Sequence, residues 1–358
     1  MKYKSIGEEC LAAGIPWNGD SPAKILQYAV GALLYAPANH PKMASYLCER
    51  KYAHLKSLAL CMEDAIPEQS VPQAEDIFIE TLKKVHQALF AGKLDANALP
   101  LIFVRVRGSE QMQRLFDRAR DFLTIFSGFI LPKFSPENFK EYDKVLDYMD
   151  TRCSSRRMYV MPIIETRSAI KLETRTQTLL SIQRAVAQWG DTVLNIRVGG
   201  NDFCSLYGVR RNIKNTIYDI GVVRDALMDI LNVFAMDYVV SAPVWEYFGS
   251  NHLGWQEGFL AELALDRLNG FVGKTVIHPS QLPFVQQGLM VEYEDYMDAR
   301  EILGWKNKNL AVGGGVHSHR MNEVKVHKQW AEKTMMLAQI YGVRKKRNKV
   351  EIHDGSHL

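Results

Sequence analysis

The sequence predicts an α/β protein built as a (β/α)8 barrel, a TIM barrel, with an N-terminal helical lead-in and a C-terminal helical extension. Eight short apolar runs recur along the 358 residues with helical stretches between them. No glycine-rich dinucleotide turn follows any of the runs, which counts against the doubly wound open sheet, the other common solution for strand–helix alternation. About eight units in roughly 250 residues is the size of a closed barrel.

The runs are ALLYAP (32–37), SLALCME (57–63), PLIFVRV (100–106), SGFILPK (127–133), MYVMPIIE (158–165), TVLNIRVG (192–199), DYVVSAP (237–243) and GKTVIHP (273–279). Each is apolar on both faces, as a parallel strand buried between two layers must be. Between them, 72–90 shows apolar spacing of three and four, and 136–149 opens with proline and Glu137, an N-terminal helix signature. Stretches 166–189 and 258–268 also fit helices. The expected division is a lead-in over 1–30, the barrel over 31–290, and an extension over 291–358. Within it, a basic insertion over 203–218 follows the sixth strand, 291–312 reads as helix then loop, Gly313 to Gly315 as a hinge, 320–341 as a helix, and the tail as frayed.

Composition narrows the function classes. Hydrophobic residues make up 47% and charged residues 23%, enough for a packed core and too apolar for disorder. A net charge of +4 is too small to argue for nucleic acid and suits a small anionic substrate. The five cysteines are widely spaced and contain no CxxC, which argues against a disulfide framework or zinc ribbon and for a reducing compartment. Glu8 and Glu9 stand where a secretory leader would need an apolar run, and no stretch reaches the ~18 apolar residues of a membrane span. The expectation is a cytoplasmic protein without a membrane partner.

In a barrel, active-site residues sit at the C-terminal ends of the strands. This chain has polar groups at nearly every such end: Glu63 and Asp64 after the second, Arg105 and Arg107 at the third, Lys133 after the fourth, Glu165 at the fifth, Asn201 and Asp202 after the sixth, and Lys274 and His278 in the eighth. Polar groups inside apolar runs are costly to bury unless paired or used. Two carboxylates with cations nearby suit Mg²⁺, with Mn²⁺ as the alternative, because such ions take one or two carboxylates and keep waters that a substrate can displace. Glu165 and Asp202 are the expected metal ligands. A 2-oxo acid would chelate the metal, and Arg105 would stabilise the enolate oxygen that develops when a carbon–carbon bond breaks beside the carbonyl. Each residue also has a structural reading: Glu165 or Asp202 as a helix cap or arginine partner, Arg105 as an internal ion pair, Lys133 and Lys274 as buttresses, His278 as a structural histidine, and Cys61 as core.

The segments LLYAPANHP, LCMEDAIPE, FVRVRG, GFILPKF, PIIET, VGGNDF and GFVGKTVIHPSQ, taken in order, resemble the citrate lyase β-subunit-like branch of the HpcH/HpaI aldolase superfamily over residues 31–290. The resemblance implies a barrel of carbon–carbon lyases with Mg²⁺ on Glu165 and Asp202. It implies substrate contact by Arg105 and an acidic pair, Glu63 and Asp64, near the metal and its waters. It also implies acyl-CoA thioester or 2-oxo acid substrates and trimeric or hexameric assembly. RMNEVKVHKQWA (320–331) is similar to the family's lid segment, which places Glu323 at the position of its acid/base carboxylate.

The chain departs from the pattern at Gly31, Cys61, Val71, Glu75, Arg107 and Asn201, where the family carries charged or polar residues of other kinds. These changes point away from citrate itself and leave coenzyme A binding open. The added Arg107, Arg210 and Arg211 suit a phosphorylated or otherwise anionic substrate, as in the divergent branch that accompanies tellurite- and stress-resistance gene clusters. The expected function is a Mg²⁺-dependent lyase or aldolase. Its proton carriers are Glu63, Asp64 and Glu323, and its substrate contacts are Arg107, Lys133, Lys274 and Asn201. The alternative is a catalytically degenerate barrel that binds a metabolite or scaffolds a complex.

Overall fold

The computed structural model describes residues 10–153, 157–249, 254–306, 310–315 and 320–345. The chain divides into two compact units, Trp17–Leu289 and Met1–Pro16 with Met290–Leu358.

The first unit holds the eight predicted runs as eight strands: β1 (Ala32–Pro37), β2 (Ser57–Cys61), β3 (Leu101–Arg105), β4 (Gly128–Leu131), β5 (Tyr159–Ile164), β6 (Ile196–Val198), β7 (Val240–Ser241) and β8 (Lys274–Val276). They pair in parallel in chain order, and β8 returns to β1 through Ala32↔Lys274, Leu33↔Thr275 and Leu34↔Val276. A parallel bridge between Ala242 and Lys274 joins β7 to β8 and closes the ring. Closure removes both sheet edges, so no strand is left with a row of unpaired backbone groups.

Alternation decides what lies inside. Leu33, Ala59, Phe103, Ile130, Met161 and Ile163 form the inner core, and Leu26 and Val30, from the helix Ala23–Ala29 and its C-cap, pack against them. Every residue of β2 to β5 is buried, because the opposite face meets the helices. At Gly128 (φ 148°) a Cβ would collide with the Tyr159 carbonyl, so only glycine lets β4 approach β5 there. The helix expected over 166–189 is broken into Arg167–Ile170 and Leu172–Ala187, with Lys171 in extended backbone between them. No helix among the described residues is long and apolar enough to cross a membrane.

The second unit pairs the helices Tyr293–Leu303 and Val324–Tyr341 around Ala299, Ile302 and Ala331. Two expectations change here. Cys10–Ala12 of the lead-in is a strand, antiparallel to Val343–Arg344. Gly313 and Gly314 lie in a strand, Val312–Gly314, paired with Met321–Glu323, so cross-strand bonding holds what glycine content alone suggested was a hinge. The tail, expected to fray, lies outside the described residues beyond residue 345.

Candidate active site

The polar strand ends converge at the C-terminal mouth of the barrel. Arg105, the last residue of β3, is the centre of the cluster. Its Nη2 lies 2.5 Å from Glu63 Oε2, 3.1 Å from Asp64 Oδ2 and 3.3 Å from Glu165 Oε1. Burial disfavours the guanidinium charge, but Tyr35, Glu165 and Glu63 outweigh it and hold its pKa above the ordinary arginine range. Its Nε is buried without a hydrogen-bond partner.

Lys133 adopts φ 49°, a left-handed conformation unusual for a side-chain-bearing residue. The turn it makes after β4 aims its backbone N–H at Glu165 Oε1, 2.8 Å away, and its ammonium at Glu63. Burial lowers the Lys133 pKa, but the hydrogen bond and charge of Glu63 raise it further, with Asp64 and Glu165 adding. Asp64 is pushed up by partial burial and pulled down more strongly by hydrogen bonding with Glu63 and the charges of Arg105 and Lys133, so it stays below the usual carboxylate range.

Glu165 follows β5 and is 5% exposed. Its Oε1 is held by Arg105 and the Lys133 amide, and its Oε2 turns toward the backbone of Gly199. Gly199 ends the β6 turn and precedes the helix Gly200–Leu206, which carries Asp202 in its first turn. A Cβ built on Gly199 would sit 3.0 Å from Asp202 Oδ2 and nearer still to Glu165 Oε2. Two carboxylate oxygens therefore face one small space that only glycine leaves open. The N-cap of that helix is Gly199, and Asp202 stands in its first turn. Burial, with Asp202 adding to it against the opposing charge of Arg105, pushes the Glu165 pKa up to about 8. Two close, poorly solvated carboxylates are what a divalent cation relieves. Among the described residues no group of three or more His, Cys, Asp or Glu side chains converges as a metal cage. The available donor set is the Glu165–Asp202 pair, the number that Mg²⁺ uses when waters and substrate supply the rest.

The remaining sequence candidates are placed as follows. Asn201 is next to Asp202 on the short helix and is partly exposed. Arg107 grips the β2–helix loop: its Nε donates to the Met62 carbonyl (2.9 Å), and its Nη2 donates to the carbonyls of Glu63 (3.4 Å) and Ile66. Lys274 is not brought to the cluster. It is fully buried on the outer face of β8, where its ammonium lies 2.8 Å from both Glu262 and Asp266 of the helix Trp255–Asn269. His278 stacks on Phe248 and accepts from the Ser280 amide, a structural use. Cys61 is buried in β2. Glu323 belongs to the second unit, at the start of Val324–Tyr341, and its N–H donates to His327 Nδ1 at 2.9 Å.

Two interior residues escaped the sequence reading. Tyr35 of β1 lies among Arg197, Arg105, Cys61 and Glu165, and burial raises its phenol pKa against the pull of the two arginines. Arg197 of β6 donates to Thr275 Oγ1 at 2.6 Å and lies against Tyr35, and burial lowers its pKa. The signal that selected Arg105, a charge inside an apolar run, was equally present in LNIRVG.

The sequence profile of the C–C bond lyases of the TIM-barrel fold matches residues 24–343. The chain belongs to that family. Among curated relatives, it is 24% identical over 339 residues to the mitochondrial citramalyl-CoA lyase of Homo sapiens, covering 92% of this chain and 91% of that one. Among solved structures, it is similar to CitE from Mycobacterium tuberculosis in complex with magnesium, acetoacetate and coenzyme A, with a TM-score of 0.56 at 20% identity over 87% of this chain and 99% of that one. It is also similar to RipC from Yersinia pestis, with a TM-score of 0.50 at 15% identity over 73% of this chain and 95% of that one. These structural likenesses establish the shared barrel.

Proposed function

We propose that this lyase is metal-assisted and acts on a 2-oxo acid or a related small carboxylate, breaking or making the bond next to the carbonyl. The observation that carries the reading is the convergence of Glu165 and Asp202 on the backbone of Gly199, with Arg105 on the other oxygen of Glu165. Glu165 and Asp202 would hold Mg²⁺ or Mn²⁺, which when bound supplies Lewis acidity to the carboxylate and keto oxygens of a 2-oxo acid.

The rest of the chemistry belongs to the chain. In the cleavage direction the breaking bond leaves its electron pair on the enolate, and the Arg105 guanidinium stabilises the oxygen that gains charge. Glu63, in ion-pair contact with Arg105 and Lys133, accepts a proton through water and returns it to the new carbon acid, with Asp64 beside it. Lys133 and Asn201 line the approach for an anionic substrate. Arg107 acts indirectly, by holding the loop that carries Glu63 and Asp64. In this reading Trp17–Leu289 is the catalytic unit.

The arginines that suggested a phosphorylated substrate are engaged internally. Arg210 pairs with Glu246 at 3.0 Å, and buried Arg211 lies 3.3 Å from Glu262. A plain carboxylate substrate therefore needs fewer assumptions than a phosphorylated one. The human relative's name and the ligands of the M. tuberculosis structure make coenzyme A thioesters part of any substrate panel.

The test uses the full chain with Mg²⁺, with Mn²⁺, and with chelator, against 2-oxo acids and acyl-CoA thioesters. Glu165→Gln is expected to abolish both metal binding and turnover. Activity that survives this change without metal would overturn the reading. A second reading, a metabolite-binding barrel without turnover, is favoured by the departures at Cys61, Val71 and Glu75. It predicts tight ligand binding and no product across the panel.

A further inference from the structure

Five cations are buried among the described residues: Arg105, Arg175, Arg197, Arg211 and Lys274. Four of them have a carboxylate within ion-pair distance. Arg105 has Glu63, Asp64 and Glu165, Arg175 has Asp229 at 2.8 Å, Arg211 has Glu262, and Lys274 has Glu262 and Asp266. Arg197 is 1% exposed and has none among the described residues. Its neighbours are neutral: Thr275 Oγ1 at 2.6 Å, Asn195 Oδ1 at 3.5 Å and the Tyr35 phenol. Its Nε has no partner. A buried charge without a counter-charge costs several kcal/mol, and a fold keeps one where something else completes it.

Its place says what that is. Arg197 faces the barrel interior, because it pairs in register with Ile163 of the inner core. Two residues further along the same strands stand Glu165 and Gly199, about 7 Å up the barrel at one pleat repeat. Arg197 therefore lies one pleat repeat below Gly199, on the strand next to the one that ends in Glu165. Tyr35 is hydrogen-bonded to Arg197 and within electrostatic reach of Arg105, and its hydroxyl is free to donate to an anion.

We infer that Arg197 and Tyr35 form the seat of a second anionic group, the distal carboxylate of a dicarboxylic substrate whose 2-oxo acid end is held at Glu165, Asp202 and Arg105. This rests on the metal-assisted reading above and adds the substrate class: a short dicarboxylate in preference to a monocarboxylate. The specificity comes from charge. A dicarboxylate completes the buried guanidinium, whereas a methyl group in the same place leaves it uncompensated.

The experiment is calorimetric titration of the full chain, with Mg²⁺ present, by pyruvate, oxaloacetate and 2-oxoglutarate. It is repeated on Arg197→Met and Tyr35→Phe, with the thermal midpoint of each ligand-free variant measured beside it. Wild type is expected to bind at least one dicarboxylate tenfold or more tighter than pyruvate. Arg197→Met should erase that preference, leave pyruvate within about threefold, and unfold at or above the wild-type midpoint, since it removes an uncompensated buried charge. Tyr35→Phe should erase part of the preference. Absence of a preference in wild type overturns the inference, as does an Arg197→Met variant that weakens all ligands alike and melts lower. Manganese binding without any organic ligand separates the two levels. If it survives while no dicarboxylate is preferred, only the seat is lost; if it is absent, the metal-assisted reading falls and the seat with it.

Discussion

Gly199→Ala isolates the metal pair from the rest of the barrel. Gly199 has φ −90° and ψ 77°, outside the left-handed region, so the added methyl strains the backbone little. The perturbation is a collision with Glu165, at its Cβ as well as its Oε2, and with Asp202 Oδ2. Asp202 Oδ2 lies 3.0 Å from the added carbon and would have to retreat about 0.4 Å to reach ordinary contact at 3.4 Å; Glu165 Oε2 is nearer and would have to move further. Metal–ligand distances tolerate only about 0.2 Å. At least one carboxylate is therefore removed from ligation, and Mg²⁺ affinity is expected to fall at least about 100-fold, or roughly 2.8 kcal/mol at 1.4 kcal/mol per decade. Overpacking at one site costs roughly 1–3 kcal/mol of stability, a fall in the melting midpoint of about 2–10 °C that leaves the protein folded. Calorimetric titration with Mg²⁺ reads the first effect and thermal unfolding the second. Gly108→Ala is the control, because a Cβ there meets nothing within 4 Å. A Gly199→Ala protein that binds Mg²⁺ within threefold of wild type would refute the placement of the metal between Glu165 and Asp202.

Two other outcomes test the supporting structure. Arg107→Met leaves the carbonyls of Met62 and Ile66 without their donor, while that of Glu63 keeps the Ile66 amide, so stability should drop by about 2 kcal/mol and turnover should fall while Mg²⁺ affinity holds; a raised KM with unchanged stability would instead make Arg107 a substrate contact. Asp266 is pushed up to about 6 by burial, and by Glu262, against the opposing charge of Lys274 and the Tyr218 hydroxyl. Its folded pKa stands above the ordinary 3.8, so the folded chain holds that proton more tightly than the unfolded one, and stability is lost as pH rises from about 4 to 6. Asp266→Asn should therefore gain stability relative to wild type across that window in midpoint-against-pH scans. A flat or falling difference would contradict the assignment.

The barrel was legible because its information is local. Each strand needed a short run apolar on both faces, and all eight runs contain a strand of the closed ring, β1 with the same ends. The positions of Arg105, Glu165 and Asp202 were legible for the same reason: each is a charge at the end of such a run, where a barrel opens to solvent. The sequence could not show which way a charge inside a run would face. In a strand buried on both sides, inner and outer residues are equally apolar, so the period-2 alternation leaves no trace. Lys274 and Thr275 are neighbours in one run, yet register sends Lys274 outward to Glu262 and Asp266 and Thr275 inward to Arg197. Arg107 and Lys133 likewise depended on tertiary structure, one spent on carbonyls of the loop after β2, more than forty residues away, the other aimed by a left-handed turn. The sequence by itself determined the ring of strands and the rim of charges. Only the folded barrel decided which charges meet, because ion pairing is set by register between segments far apart in sequence, and it alone left Arg197 inside without a carboxylate among the described residues.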